Sequence, residues 1–263
     1  MRKLTALLLT LTAPLFAVQE SPWIERPLAL ISTLKLTGET FDHLDSDGKQ
    51  CSYRADNLWL NGSLYFAPTS SLSFEIEAVI SKTKNHPYLI DSFLQVGRYA
   101  LLDDALGDPF AWTIGASLRE VFERPLHDPS AFHKGLLEWE LHTAQGIEQP
   151  FLCDWDYRLY ALEALGIGNS SPWLRAVAAV EIESQTGHLL GAKLEGYYGF
   201  GDRSLSCCHF HGYGSLAYRI LDASLYYRLR TDYWTTYELG LHFRPYARNA
   251  PHNRIALDAA IIY

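Results

Sequence analysis

Three pairs of glutamates, each pair separated by one residue, have a spacing that acid–base chemistry could use. If a pair lies on a strand, its two Cα atoms are about 6.5 to 7 Å apart, so distance allows a general acid beside a general base. Because many acids and many bases on one face of a sheet neutralise one another, we predict a ladder of ion pairs and no catalytic residue. The predicted ladder comprises Glu75, Glu77, Arg119, Glu138, Glu140, Arg158, Arg175, Glu181, Glu183, Lys193, Glu195, Arg228 and Arg230.

The four cysteines, Cys51, Cys153, Cys207 and Cys208, fit an oxidising compartment and lie in predicted connections between strands. A bond between the adjacent Cys207 and Cys208 would strain the backbone, so one of them is expected to pair with Cys51, with Cys153 or with another chain. The run from Cys207 to His211 also offers zinc donors. The usual paired spacing is missing, however, and exported cysteines more often form disulfides. We therefore regard the four cysteines as candidates for disulfide bonds, and we expect no metal and no cofactor.

Apolar and polar residues alternate along most of the chain from residue 28 onward. Between Leu72 and Ile80, for example, every second residue is apolar, while Glu75 and Glu77 occupy the opposite face. A period of two residues indicates strands whose two faces have different surroundings. We count about 12 or 13 strands of roughly 10 to 13 residues, the length that a tilted strand needs to cross a bilayer. The connections near 41–56, 82–91 and 120–134 are predicted to be long loops.

The composition excludes several classes of protein. Beyond the N-terminus, the sequence has no run of about 18 apolar residues, which excludes ordinary transmembrane helices. The formal net charge of -8 argues against a nucleic-acid partner. Aromatic residues make up 13% of the chain, and many lie near predicted strand ends, where they could form girdles at membrane interfaces. These are Trp23, Phe66, Tyr99, Phe110, Trp155, Trp173, Tyr198, Tyr233, Trp234, Tyr246 and Tyr263.

Residues 1–17 have the features of an export signal. Arg2 and Lys3 give a positive start, an apolar core follows, and the small residue Ala17 marks a cleavage point. Leu15 is a poor match at the third position before the cut, so the cleavage site stays open by several residues. The remaining residues, 18–263, are expected to form a single domain.

The last nine residues form a strand with one continuous apolar face that ends on an aromatic residue. Its signature consists of Ile255, Leu257, Ala259, Ile261 and Tyr263. This ending resembles the closing strand of Gram-negative outer-membrane β-barrel proteins, whose last residue is typically aromatic. The resemblance implies location in the outer membrane, with the lipid bilayer as partner and the outer-membrane assembly machinery recognising the C-terminal strand.

The fold class that follows is all-β: a transmembrane antiparallel up-and-down β-barrel. Such single-chain barrels have an even number of strands, so we predict about 12 strands, with 14 as the alternative. In this arrangement the ladder faces the lumen and the apolar face contacts lipid. A soluble β-sandwich or a lipocalin-like binding protein is the alternative architecture, and the oligomeric state stays open.

Three functions are compatible with such a barrel. The first and preferred one is a narrow porin-like channel for small solutes, in which lumen charges set selectivity. The second is a non-conducting structural or adhesive barrel whose loops bind a partner. The third is a lipid-processing enzyme. A barrel phospholipase would carry a His and a Ser two residues apart at the lipid-facing rim, but the residue two positions after His142 is Ala144. No enzymatic activity is therefore expected.

Overall fold

The computed structural model describes residues 20–152, 154–206, 210–232 and 234–263, and it leaves the side chain of Leu152 undescribed. Several residues named above therefore lie outside the described residues. They are the predicted signal at 1–17, three of the four cysteines (Cys153, Cys207 and Cys208), and Tyr233.

The regular secondary structure of the described chain is almost entirely strand, and each strand is antiparallel to its neighbours. The strands are β1 (Ala29–Ser46), β2 (Lys49–Thr69), β3 (Leu72–Lys82), β4 (Leu89–Leu102), β5 (Ala111–Val121), β6 (Leu137–Leu152), β7 (Trp155–Ile167), β8 (Pro172–Ser184), β9 (His188–Gly199), β10 (Arg219–Arg230), β11 (Thr236–Arg248), β12 (Pro251–His252) and β13 (Ile255–Ile262). One four-residue helix, α1 (Glu123–Leu126), and two single 3₁₀ turns, Asp104–Leu106 and Tyr213–Ser215, lie in the connections. Within the described ranges, no helix is long and apolar enough to cross a membrane.

The sheet closes on itself because β1 pairs with both β2 and β13. Twelve strands, β1 to β11 and β13, form the barrel, and the two-residue β12 pairs with β1 beside it. At the seam, the Ser32 amide donates to the Tyr263 carbonyl over 2.7 Å. Closure satisfies the backbone groups that an open edge would leave unpaired, which a bilayer requires. The predicted antiparallel barrel of 12 strands is confirmed.

The two faces of the barrel differ as the alternation predicts. On β3, Phe74 and Ile76 are 50% and 51% exposed on the outside, whereas Glu75 and Glu77 are 3% and 7% exposed on the inside. A soluble sandwich or a lipocalin-like protein would bury its apolar face and present the polar one to water, so that alternative is wrong. The apolar exterior is the surface that contacts a bilayer.

The predicted loop at 41–56 is wrong. In the structure β1 runs through to Ser46, and a two-residue turn at Asp47 and Gly48 leads directly into β2, which carries Cys51. Both turn residues have positive φ, 54° and 83°, and Asp-Gly is a favoured pair for such tight hairpins. The Arg248 guanidinium bonds to the Asp47 carboxylate and holds the pKa of that group below its usual value. The polar residues of this stretch therefore belong to a hairpin and not to a loop.

The ends of the barrel are unequal. Connections at the end where β1 begins and β13 finishes are short, apart from 103–110, and we call this the inner end. At the opposite, outer end lie the long connections 122–136 and 200–218. This polarity matches barrels with short periplasmic turns and longer extracellular loops.

Glu163 is an acidic residue on the outer face of the barrel. It is exposed on β7, pairs across the sheet with Thr143 and Ala176, and is followed on the same face by Leu165. Charge on the lipid face is destabilising in proportion to its depth, and less so for Glu than for Lys or Arg. We predict that Glu163→Leu raises the free energy of unfolding, measured with urea in lipid vesicles, by about 1 kcal/mol. The free energy of unfolding of Glu163→Gln should lie between those of the unchanged protein and Glu163→Leu. An unchanged or lower stability of Glu163→Leu would contradict the prediction.

Candidate solute pathway in the barrel lumen

The interior of the barrel holds two cavities, one after the other. The outer cavity has a volume of about 430 Å³ and the inner cavity about 320 Å³. Among the described residues, Glu20 is the one that lines both. A solute that crossed the barrel through these spaces would therefore pass Glu20.

Eleven of the thirteen residues in the predicted ladder line one of the two cavities. The other two, Glu183 and Arg230, pair with each other close to the inner end, where the Arg230 side chain is 56% exposed. The structure thus places most of these side chains where solutes would meet them, although their role in selectivity stays a prediction.

Arg175 is the centre of one ion-pair network. Its Nε lies 2.6 Å from Glu195 Oε1 and its Nη1 lies 3.6 Å from Glu140 Oε1. A third carboxylate, that of Glu20, also contacts the guanidinium. Lys193 Nζ lies 2.8 Å from Glu20 Oε2 and 3.5 Å from Glu195 Oε2, so it joins the same network.

A second network lies nearer the inner end. Arg228 Nε is 2.5 Å from Glu238 Oε2, and its Nη1 is 3.6 Å from Glu181 Oε1. The Tyr226 hydroxyl also donates to Glu181, over 2.7 Å. Arg158 binds Glu183 over 2.7 Å, which links this region to the inner rim. Such cross-strand pairs fix the rotamers of the side chains that line the lumen.

Carboxylates outnumber basic groups in both cavities. Eight carboxylates and five guanidinium or ammonium groups line the outer cavity. Six carboxylates and four guanidinium or ammonium groups line the inner cavity. The sequence interpretation missed several lining residues, although the same alternation could have identified the ones on strands. Those it missed include Glu20, Lys35, Glu39, Asp222, Glu238, Arg244, Arg254 and Asp258.

Connections at the outer end fold into the barrel mouth. We call residues 122–136, 200–206 and 210–218 the outer cap. Leu205, Phe210 and Tyr213 of the cap are buried against side chains of the barrel wall. The Tyr213 amide donates to the His133 carbonyl (2.7 Å), and its hydroxyl donates to the Pro129 carbonyl (2.6 Å). The two halves of the cap therefore hold each other over the outer cavity.

One lysine of the cap enters a cage of aromatic rings. Lys134 Nζ lies 4.8 Å from the ring centre of Phe132, 4.9 Å from Trp173 and 5.4 Å from Tyr197. Lys134 Nζ also lies 3.6 Å from the carboxylate oxygen Oε2 of Glu138. Cation–π attraction and this carboxylate stabilise the ammonium, so the cage is filled by a group of the protein itself.

Two aromatic residues predicted for the interface girdles lie elsewhere. Trp23 lines the inner cavity and donates from Nε1 to Asp104 Oδ1 over 2.8 Å. Trp173 lines the outer cavity and is 2% exposed. Both predictions are wrong because position at a strand end does not tell whether a side chain points inward. Phe66, Tyr99, Trp155, Tyr198, Trp234, Tyr246 and Tyr263 are exposed on the surface.

His142 faces the lumen. It lines the outer cavity, and its Nδ1 lies 3.8 Å from Glu140 Oε1. A barrel phospholipase would need its histidine at the lipid-facing rim, so this position gives no support for lipid hydrolysis. In the described part of the chain, no three His, Cys, Asp or Glu residues are grouped closely enough to hold a metal ion.

Cys51 is half-buried on β2 and forms no disulfide with any described residue. The pairing of the four cysteines therefore stays a prediction. Of the closing-strand signature, Ile255, Leu257 and Ala259 face outward on β13 and Tyr263 follows it, exposed; Ile261 is partly buried.

Comparison with solved structures places the fold. An outer membrane channel from Pseudomonas putida F1 is 12% identical, with 94% of this chain and 100% of that chain covered and a TM-score of 0.54. The NanC porin is 7% identical, with 88% and 98% covered and a TM-score of 0.57. LpxR from Salmonella typhimurium is 10% identical, with 88% and 99% covered and a TM-score of 0.50. No protein-family model and no curated protein matches the sequence. At these identities the likeness shows the fold alone, that of outer-membrane β-barrels.

Proposed function

We propose that the protein is a narrow channel of the outer membrane that passes small solutes and prefers cations. The observation that carries this proposal is the pair of charged cavities, which follow one another through the lumen of a closed, externally apolar barrel. A barrel of this strand number can leave a narrow aqueous path. The porin and the channel among its structural neighbours have the same architecture, which supports the proposal.

The preference for cations follows from the charges that line the path. Both cavities have more carboxylates than basic groups, and rings of acidic side chains favour cations in pores. The same excess disfavours acidic solutes, because like charges in a narrow lumen repel one another with little screening.

We predict that the purified protein conducts in planar lipid bilayers and that its reversal potential in a KCl gradient has the sign of cation selectivity. A mobility shift between unheated and boiled samples should first establish that the inserted protein is folded. Folded protein that never conducts would contradict the channel, and an anion-selective reversal potential would contradict the cation preference alone.

A second function, a non-conducting barrel whose loops bind a partner, is favoured by one observation. The outer cap packs an apolar core across the mouth of the barrel, with Leu205, Phe210 and Tyr213 buried. The bilayer measurement separates the two functions, because this alternative requires a folded barrel without conductance.

Export and assembly complete the proposal. We propose that residues 1–17 direct export and that the mature domain is the single barrel. Recognition of the closing strand by the assembly machinery stays a prediction.

A further inference from the structure

The first described residues of the chain lie inside the barrel. Glu20, Ser21, Pro22 and Trp23, which we call the strap, precede β1, and all of them except Pro22 line the cavities. From the inner end, where β1 begins, the strap rises into the lumen so that Glu20 reaches the space between the two cavities. The barrel wall therefore does not alone determine how wide the path is.

Contacts hold the strap along its whole length. At its tip, the Glu20 carboxylate is bound by Arg175 and by Lys193 (2.8 Å). Below it, Arg98 Nη1 donates to the Ser21 carbonyl over 2.7 Å. Each of these bonds involves a charged donor, and such bonds are about twice as strong as neutral ones.

The base of the strap is held by packing and by hydrogen bonds from neutral donors. Pro22 is fully buried, and its carbonyl accepts from the Thr113 hydroxyl. Trp23 bonds to Asp104 and meets the ring of Tyr160 edge-on, with centroids 6.0 Å apart. These contacts come from the inner half of the barrel wall and from the 103–110 connection.

A glycine in the wall makes room for the strap. A Cβ added at Gly146 would lie 2.8 Å from Trp23 Cη2 and 2.9 Å from Pro22 Cγ, and also 2.9 Å from the Leu159 carbonyl. Contacts of this length are not tolerated without movement. Gly146 thus allows the strap to approach the wall more closely than any side chain would permit. Together with the bonds described above, this close approach indicates that the strap has a specific binding position on the barrel wall.

We propose that the strap forms the constriction of the lumen and that Glu20 is the residue that selects which solutes pass it. This inference rests on the proposed channel. A fixed carboxylate at the narrowest point attracts cations and repels anions more effectively than one in a wide cavity, because less water screens it there. Its two basic partners hold it in place, and movement of the strap would join the two cavities.

Two substitutions at Glu20 test selectivity in planar bilayers. We expect Glu20→Gln to reduce the cation-to-anion permeability ratio by about threefold, and Glu20→Lys to bring it to about one or below. The matched control is Glu39→Gln, which removes another buried carboxylate of the outer cavity that contacts Asn57 and Arg254 and not the strap. Equal shifts for Glu20→Gln and Glu39→Gln would overturn the assignment of Glu20.

Loosening the base of the strap tests the constriction. We expect Trp23→Ala to raise single-channel conductance by about 1.5-fold, since the strap loses an anchor at its base. Gly146→Ala, which pushes the strap from its seat, should act in the same direction. Conductance unchanged in both variants, with folding confirmed by the mobility shift, would overturn the constriction.

The position of the strap can be tested without any conductance. In a Pro22→Cys variant, a bulky maleimide should label position 22 at least about tenfold more slowly than position 185 in Gln185→Cys, because the first site is enclosed and the second is exposed in the turn between β8 and β9. Mass spectrometry of the peptides separates these sites from the native cysteines. Equal labelling rates would overturn the strap even in a conducting barrel, whereas slow labelling in a silent barrel would contradict only the channel.

Discussion

Arg175→Met should lower the free energy of unfolding of the barrel by about 3 to 5 kcal/mol, the usual cost of removing one partner from a buried charge cluster. The guanidinium contacts the carboxylates of Glu20, Glu140 and Glu195, and its own side chain is 15% exposed. Without it, the three acidic groups repel one another, although Lys193 stays close to Glu20 and Glu195. Urea unfolding in lipid vesicles, followed by tryptophan fluorescence and by the gel mobility shift, measures the loss.

Arg230→Met is the matched control for this loss. Arg230 also pairs with a lumen-side carboxylate, that of Glu183, but its side chain is 56% exposed. Exposed pairs contribute about 0 to 1 kcal/mol. If the two variants lose the same stability, the Arg175 network is as well hydrated as the surface, and the interpretation of a narrow lumen with fixed charges is contradicted.

A second substitution isolates the charge from the packing. In the Arg175→Met background, Glu195→Gln removes the carboxylate whose Oε1 lies 2.6 Å from Arg175 Nε. We expect this change to recover part of the stability there and to reduce stability in the unchanged protein, because the sign of the effect depends on the guanidinium. Equal effects in both backgrounds would mean that Arg175 contributes by packing alone.

The strands of this barrel were predictable because their two faces have different surroundings, and this difference produces an alternation of apolar and polar residues along the sequence. Lipid outside and charge inside give an alternation that repeats every two residues, so Phe74 and Ile76 separate from Glu75 and Glu77 without any knowledge of tertiary structure. The same argument located most ladder residues in the lumen. It failed at 41–56, where polar residues on a hairpin that extends past the neighbouring strands indicated a loop, although Asp47-Gly48 was a usable turn signal.

The contents of the lumen were harder to predict. The strap has no periodicity, and its position depends on partners far along the chain, such as Arg98, Thr113 and Arg175. The inward fold of the outer cap was only weakly indicated by the composition of the sequence. The connection from 200 to 218 contains large apolar and aromatic residues that a loop in water would not need, and five of them pack into the barrel mouth: Leu205, Phe210, Tyr213, Leu216 and Tyr218. Composition could thus have indicated that the loop folds inward, but not what it packs against.

Shortening the outer cap should raise single-channel conductance by about twofold if the cap is the main barrier at the outer end. The variant replaces residues 125–133 with a short Gly-Ser link. It removes the buried Leu126 and Ala131, the carbonyl partner of Tyr213 at Pro129, and Phe132 from the cage around Lys134. The control replaces Gln185 and Thr186, which are exposed in a turn at the inner end, with Gly-Ser.

The cap and the strap are resistances in series along the same path, so the conductance of a double variant can be predicted from the two single variants. Resistances in series add, so opening the smaller one changes the conductance little while the larger one stays in place. A protein with both the shortened cap and Trp23→Ala should therefore conduct more than the two separate increases would give by addition. If the double variant conducts no better than the shortened cap alone, the strap does not narrow the path. If the shortened cap leaves the conductance of a folded barrel unchanged, ions already pass through or beside the cap, and the outer loops do not close the barrel.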